Sequence, residues 1–321
     1  MRSQHVAVAL ITFCLIAPHA LHGQGTAASP VPNGRGSDGR RVSFTLQYRI
    51  TGKQGTEKAV LTALVPKTID GRQKILKVRY APQPEREFEE KGNKYARFVL
   101  PQPVGLQVVT IDVDAELYRY DLNTAAKNRR GEPESSDRLK PWLVHEKFIE
   151  KDAPEIQAAA KIIGGNDELD TIRNIMAFVH QKVRFSGYDE TDHGALWALK
   201  NGKGDCTEFS DLFVALCRAK NIPARVWEGY LTDDIPKGDT AKHIRAEAYT
   251  RKHGWVPFDA LHVLRGNAKF ESLKPVYVYL GNQRSDALLQ NYHYAAYRYF
   301  GQPVTFDFGF TVTEQRELKR R

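Results

Sequence analysis

Gly204-Asp205-Cys206-Thr207-Glu208-Phe209-Ser210 opens the run that decides how this chain is read. Phe209, Leu212, Phe213, Leu216 and Cys217 follow at i, i+3, i+4, i+7 and i+8 spacing, so a helix starts at Cys206 and ends before Pro223. A thiol becomes a good nucleophile when it is deprotonated. The positive end of a helix and a neighbouring histidine are two ways to achieve that. Downstream, His243 begins one expected strand and Asp259 ends the next, Trp255-Val256-Pro257-Phe258. A cysteine, a histidine and an acid able to orient the imidazole predict a site for acyl transfer. Taken alone, Cys206 also continues the apolar stripe of its helix. The strand from His243 adds weight, since Ile244, Ala246 and Ala248 face one side while His243, Arg245, Glu247 and Tyr249 face the other.

Outward from that core, helical spacing covers Ile156 to Ile163, then Leu169 to Val183 with Asn166 as its expected cap, then Ala195 to Lys200. Upstream the period changes to two. Phe44, Leu46 and Tyr48, then Ala59 to Val65, Val78 to Tyr80, Tyr95 to Leu100 and Val109 to Leu117 predict strands, with a turn at Gly92-Asn93. Tyr277 to Tyr279 and Val304 to Val312 predict further strands. The expected organisation is a signal peptide at 1–25, a disordered leader at 26–41 and a β-sandwich at 42–122. A linker at 123–140, the cysteine-bearing domain at 141–312 and a basic tail at 313–321 complete it.

Export is read from Met1-Arg2 followed by the uncharged Val6 to Ala17, which is too short to span a bilayer comfortably. A periplasmic or extracellular location follows, and no later segment is apolar enough for an integral membrane span. Beyond the signal only Cys206 and Cys217 remain, about 16 Å apart along one helix and out of disulfide reach. The formal charge of +9 gives a basic surface suited to anionic envelope polymers or lipids. Zinc-finger spacing and RNA-binding aromatic signatures are absent, so nucleic acid is not an expected partner.

The stretch Gly204 to Leu231, with Leu212 to Ala219, Ile222-Pro223-Ala224-Arg225 and Gly229-Tyr230, resembles the core of bacterial transglutaminase-like proteins. His243 to Glu247 resembles that family's His-x-x-x-Glu element, and Gly254 to Asp259 its Gly-Trp-Val-Pro-x-Asp element. The resemblance implies an α+β protein in which a β-sandwich precedes a papain-like core. It implies Cys206 as nucleophile, His243 as general base and acid, Asp259 as orienting acid, and the Cys206 N–H as one oxyanion donor. A protein or peptide substrate follows, attacked at an amide, with hydrolysis preferred over cross-linking; the competing reading is a scaffold that keeps the fold without catalysis. Arg245 stands where the family usually has Trp. It is expected either to bind an acidic group of the substrate or to pair internally with Glu247 or another acid. Cys206, His243 and Asp259 make a poor zinc set, lacking a second cysteine or paired histidines, and no EF-hand loop is present. Neither metal nor cofactor is expected.

Overall fold

The computed structural model describes residues 38–128, 133–233, 235 and 240–318. The expected signal peptide and the leader up to residue 37 lie outside these. The chain runs through β1 (Gly39–Gly52), β2 (Thr56–Val65), β3 (Gln73–Ala81), β4 (Arg86–Glu90), β5 (Asn93–Pro101) and β6 (Gly105–Tyr118). Next come β7 (Tyr120–Asp121), α1 (Leu122–Asn128), α2 (Ser136–Leu139), α3 (Pro154–Ile162) and α4 (Glu168–Lys182). β8 (Arg184–Phe185), α5 (Ala195–Asn201) and β9 (Lys203–Gly204) lead to α6 (Cys206–Ala219). β10 (Ala224–Leu231), β11 (Lys242–Thr250), β12 (Gly254–Phe258) and α7 (Ala260–Leu264) follow. β13 (Ser272–Leu273), β14 (Tyr277–Gly281), β15 (Ala295–Gly301) and β16 (Thr305–Glu317) close the fold. Among the described residues no helix is long and apolar enough to cross a membrane.

Two antiparallel sheets, ordered β16-β1-β6-β3 and β15-β2-β5-β4, face each other across one core. Strand alternation builds it: Val42, Phe44, Leu46, Tyr48 and Ile50 are buried beside Val109, Ile111 and Val113. Leu61, Ala63, Ala96 and Phe98 come from the opposing sheet. Each large side chain so buried contributes about 2 kcal/mol.

The C-terminal strands depart from the expected organisation. Residues 304–312 were expected with the cysteine-bearing domain, yet β16 pairs with β1 and β15 pairs with β2. The reason is aromatic. Phe310 packs on Phe44, and Phe306 and Phe308 stack on Tyr48. Residues 313–317, expected within the basic tail, stay in the strand, where Glu317 meets Arg40 at 2.8 Å. The leader likewise ends early, because β1 opens at Gly39. Both ends of the described chain therefore close the sandwich.

The third large sheet, β12-β11-β10-β14, carries α6 on one face. Ile244, Ala246, Ala248 and Val226 pack there against Phe209, Leu212, Phe213 and Leu216. α6 is buried on every side from Cys206 to Arg218 rather than amphipathic. Its polar side chains are satisfied internally: Ser210 Oγ donates to Ile244 O at 3.2 Å, and Arg218 donates to Ala224 O at 2.9 Å and to Val144 O at 2.7 Å. The helix stops where Asn221 takes a left-handed φ of 58° ahead of Pro223. This sheet is fastened to the sandwich through Gln73, whose amide bonds Tyr279 O and N at 2.8 Å each. Asn93, in the predicted turn, accepts the Asn282 N–H at 3.0 Å, and Tyr230 stacks on Phe310 with centroids 4.5 Å apart.

Candidate active site

The start of α6 is tightly made. Asp205 is its N-cap, with Oδ1 accepting the Thr207 N–H at 2.8 Å while Glu208 Oε2 accepts the Asp205 N–H at 3.0 Å. This reciprocal cap fixes Cys206 at the first helical position. Gly204 is required there, because a Cβ would lie 2.4 Å from Glu208 Cβ. The cap has an electrostatic cost. Burial and then Asp205 push the Cys206 thiol well above its ordinary pKa, and the Ile244 backbone pulls it part of the way back. A resting thiolate, which a helix start and a nearby histidine led us to expect, is therefore not favoured. Burial and Asp205 also raise Glu208 to about 8, so it is mostly protonated at neutral pH.

The Ile244 backbone, one residue beyond His243, is therefore near enough to the Cys206 sulfur to act on it. On β11, the adjacent His243 is 3% exposed and its Nε2 lies 2.8 Å from Asp259 Oδ2. Asp259 leaves β12 and caps α7, accepting the His262 N–H on Oδ1 at 3.0 Å. His262, three residues on, puts Nδ1 3.2 Å from Asp259 Oδ2 and stacks on the His243 ring at 4.2 Å. Tyr277 Oη stands 2.9 Å from His243 O and 2.8 Å from Trp227 O, sharing one proton between two carbonyls and fixing the strand under the imidazole. Burial, with His262 and Arg245 adding to it against Asp259, keeps the His243 pKa below its ordinary value. Despite burial, the surrounding His243, His262 and Arg245 hold Asp259 well below the usual carboxylate range.

Arg245 does not line a cleft. It is 3% exposed, its Nε donates to Asp259 Oδ2 at 2.7 Å, and its guanidinium lies 4.3 Å from the Tyr277 ring centre. Of the two expected roles the structure realises an internal pair, with Asp259 rather than Glu247. Glu247 is taken by other partners. Its Oε2 accepts from Arg225 at 2.8 and 3.0 Å and from Trp227 Nε1 at 2.6 Å, and Arg225 lies over Trp255 at 4.0 Å. The polar face of β11 thus divides, His243 to the site and Glu247 to a buried brace.

A second buried network was not read from the sequence. Arg284, with no exposed side-chain area, binds both oxygens of Asp211 on α6 at 2.8 and 3.0 Å through Nε. It also reaches Asp192, which His293 Nε2 contacts at 3.1 Å, while His293 Nδ1 lies 3.3 Å from Glu228 Oε2. Against burial, the bonds to Asp192 and Glu228 raise His293 to about 9, so it is a cation at neutral pH. Despite its burial, His293 and Arg284 hold Asp192 at about 2. The network ties the loop after β9's partner β8, the middle of α6 and the segment before β15. Asp211 lies off the stripe of Phe209, Leu212 and Phe213, so its spacing gave no sign that it would be buried.

His243, Asp259 and His262 put potential ligand atoms within 4.8 Å of one another. Asp259 Oδ2 already lies 2.8 Å from His243 Nε2 and 3.2 Å from His262 Nδ1, so the cluster also reads as an imidazole oriented by its carboxylate. A concavity of about 440 Å³ between α3 and α4 and another of about 520 Å³ between α3 and the end of α6 are lined by no cysteine, histidine or carboxylate. They do not compete with the Cys206 locus.

Residues 156–260 match the family model of the transglutaminase-like superfamily, so the chain carries a transglutaminase-like core. A candidate cysteine protease from Cytophaga hutchinsonii is similar in structure at a TM-score of 0.61 and 20% identity, covering 88% of this chain and 91% of its own. At that identity the likeness is one of fold, and it extends over sandwich and core together. The periplasmic domain of TgpA from Pseudomonas aeruginosa overlaps at 12% identity and a TM-score of 0.39, covering 70% of this chain and 91% of its own, too distant to bear on the site. Comparison with curated proteins finds no match.

Proposed function

We propose that this chain is an exported thiol acyl-transfer enzyme that hydrolyses peptide or side-chain amides through Cys206, His243 and Asp259. The observation that carries the reading is the 2.8 Å contact of Asp259 Oδ2 with His243 Nε2, one residue from Ile244, whose backbone acts on the Cys206 thiol. That contact leaves Nδ1 as the ring nitrogen available to the thiol. Sγ attacks the amide carbon as its proton passes to Nδ1, and the Cys206 N–H at the helix start stabilises the oxyanion. Collapse expels the amine, which takes the proton from His243, and leaves a thioester. Water, deprotonated by His243, then releases the carboxylate and restores the thiol. Asp259 holds the tautomer throughout. Export rests on the apolar Val6 to Ala17 behind Arg2.

A scaffold without catalysis is the second reading, favoured by the upward push on the Cys206 thiol from burial and Asp205. Digesting a diverse peptide library with the mature protein and sequencing new termini by mass spectrometry separates the two. Wild type should generate termini or deamidated glutamines that Cys206→Ala does not. Identical peptide patterns from both would leave the scaffold.

A further inference from the structure

Asp259 carries three nitrogen partners on one oxygen. Oδ2 is 2.7 Å from Arg245 Nε, 2.8 Å from His243 Nε2 and 3.2 Å from His262 Nδ1. All four residues are at most 4% exposed. In a simple Cys-His-Asp arrangement the carboxylate charge stabilises the imidazolium that forms during attack. Here part of that charge is already matched by a guanidinium that remains protonated at any working pH. Arg245 and His243 touch the same oxygen, so an imidazolium would form within a few ångströms of a fixed like charge, which disfavours it. Packing of the guanidinium over Tyr277 leaves Arg245 little room to swing away.

We propose that Arg245 is a positioning residue that keeps the Cys206–His243 pair as uncharged thiol and imidazole at rest. The proton then leaves Sγ for Nδ1 only when a carbonyl carbon is in place to accept the sulfur. Other groups also face this pair. Asp205, capping α6, opposes a thiolate, while Glu208 beside it is mostly protonated at neutral pH; His262 on α7 stacks on the ring, and Tyr277 on β14 meets it edge-on at 6.0 Å. Lys242 precedes it on β11. Such a pair would spare an exported protein with a free cysteine from adventitious alkylation and oxidation, since the thiolate is the reactive form.

The inference rests on the proposed roles of Cys206 and His243, but its test needs no substrate and so stands apart from the test of hydrolysis. The His243 ring is titrated by NMR, and iodoacetamide alkylation of Cys206 is followed across pH by peptide mapping. In wild type the ring should stay neutral to below its ordinary pKa of about 6.5. Arg245→Gln should raise that midpoint by roughly one unit and speed Cys206 alkylation at neutral pH about tenfold. Arg245→Lys should keep the wild-type profile. A wild-type ring that titrates above the ordinary value overturns the proposal. So does a folded Arg245→Gln protein with unchanged midpoint and alkylation rate. If Arg245→Gln fails to fold, Arg245→Met, read by the same midpoint and alkylation rate, takes its place.

Discussion

Asp259 Oδ2 meets His243 Nε2 at 2.8 Å, and the same oxygen meets Arg245 at 2.7 Å. One carboxylate therefore orients the imidazole and balances a buried cation. The two duties fail together when the charge is removed.

Asp259→Asn should lower turnover by roughly four orders of magnitude through loss of the tautomer. It should also cost stability, because Arg245 is left buried without its anion, a loss of about 3–5 kcal/mol. The cap of α7 is retained, since asparagine caps as well as aspartate. Urea denaturation checks the second half. An unchanged midpoint would mean that Arg245 does not depend on Asp259.

Stability should fall as pH rises from weakly acidic to alkaline. His293 has a folded pKa of about 9 against 6.5. Its contribution is full below the unfolded value and lost as pH climbs through the folded one. Glu208, at about 8 against 4.5, also binds more protons folded than unfolded. It costs stability increasingly as pH rises from the lower value to the higher. Urea midpoints measured from pH 4.5 to 9 should drop, with His293→Gln flattening the upper part and Glu208→Gln the lower. Equal slopes in all three proteins would contradict both assignments.

Arg284→Met strands Asp211 in the interior of α6, where burial already raises its pKa to about 6. The expected loss is about 3–5 kcal/mol, and adding Asp211→Leu should recover part of it because the orphaned charge is gone. A double variant no more stable than the single one would show that the pair is not a coupled unit.

Much of this was legible in the sequence, and the limits have physical causes. The start of α6, its stop before Pro223 and the alternation on β1 follow from local rules. Their periodicity and caps leave a mark in neighbouring residues. The pairing of β16 with β1 is not local: Phe306, Phe308 and Phe310 declare a strand but not which edge they cover. The Arg284–Asp211 pair is likewise joined only by folding. Arg245 was visible as an odd residue in a familiar motif. Whether its charge reached a cleft or Asp259 depended on packing against Tyr277, which no spacing encodes.

The most direct test of the central claim is labelling of the folded protein with a peptide amide bearing a thiol-reactive warhead, mapped by mass spectrometry. Cys217, fully buried with its thiol pushed up by burial, is the internal control. The account predicts an adduct on Cys206 alone, absent from Cys206→Ala and strongly slowed in His243→Ala. An adduct on Cys217 at comparable rate, or Cys206 labelling that ignores the loss of His243, would contradict it.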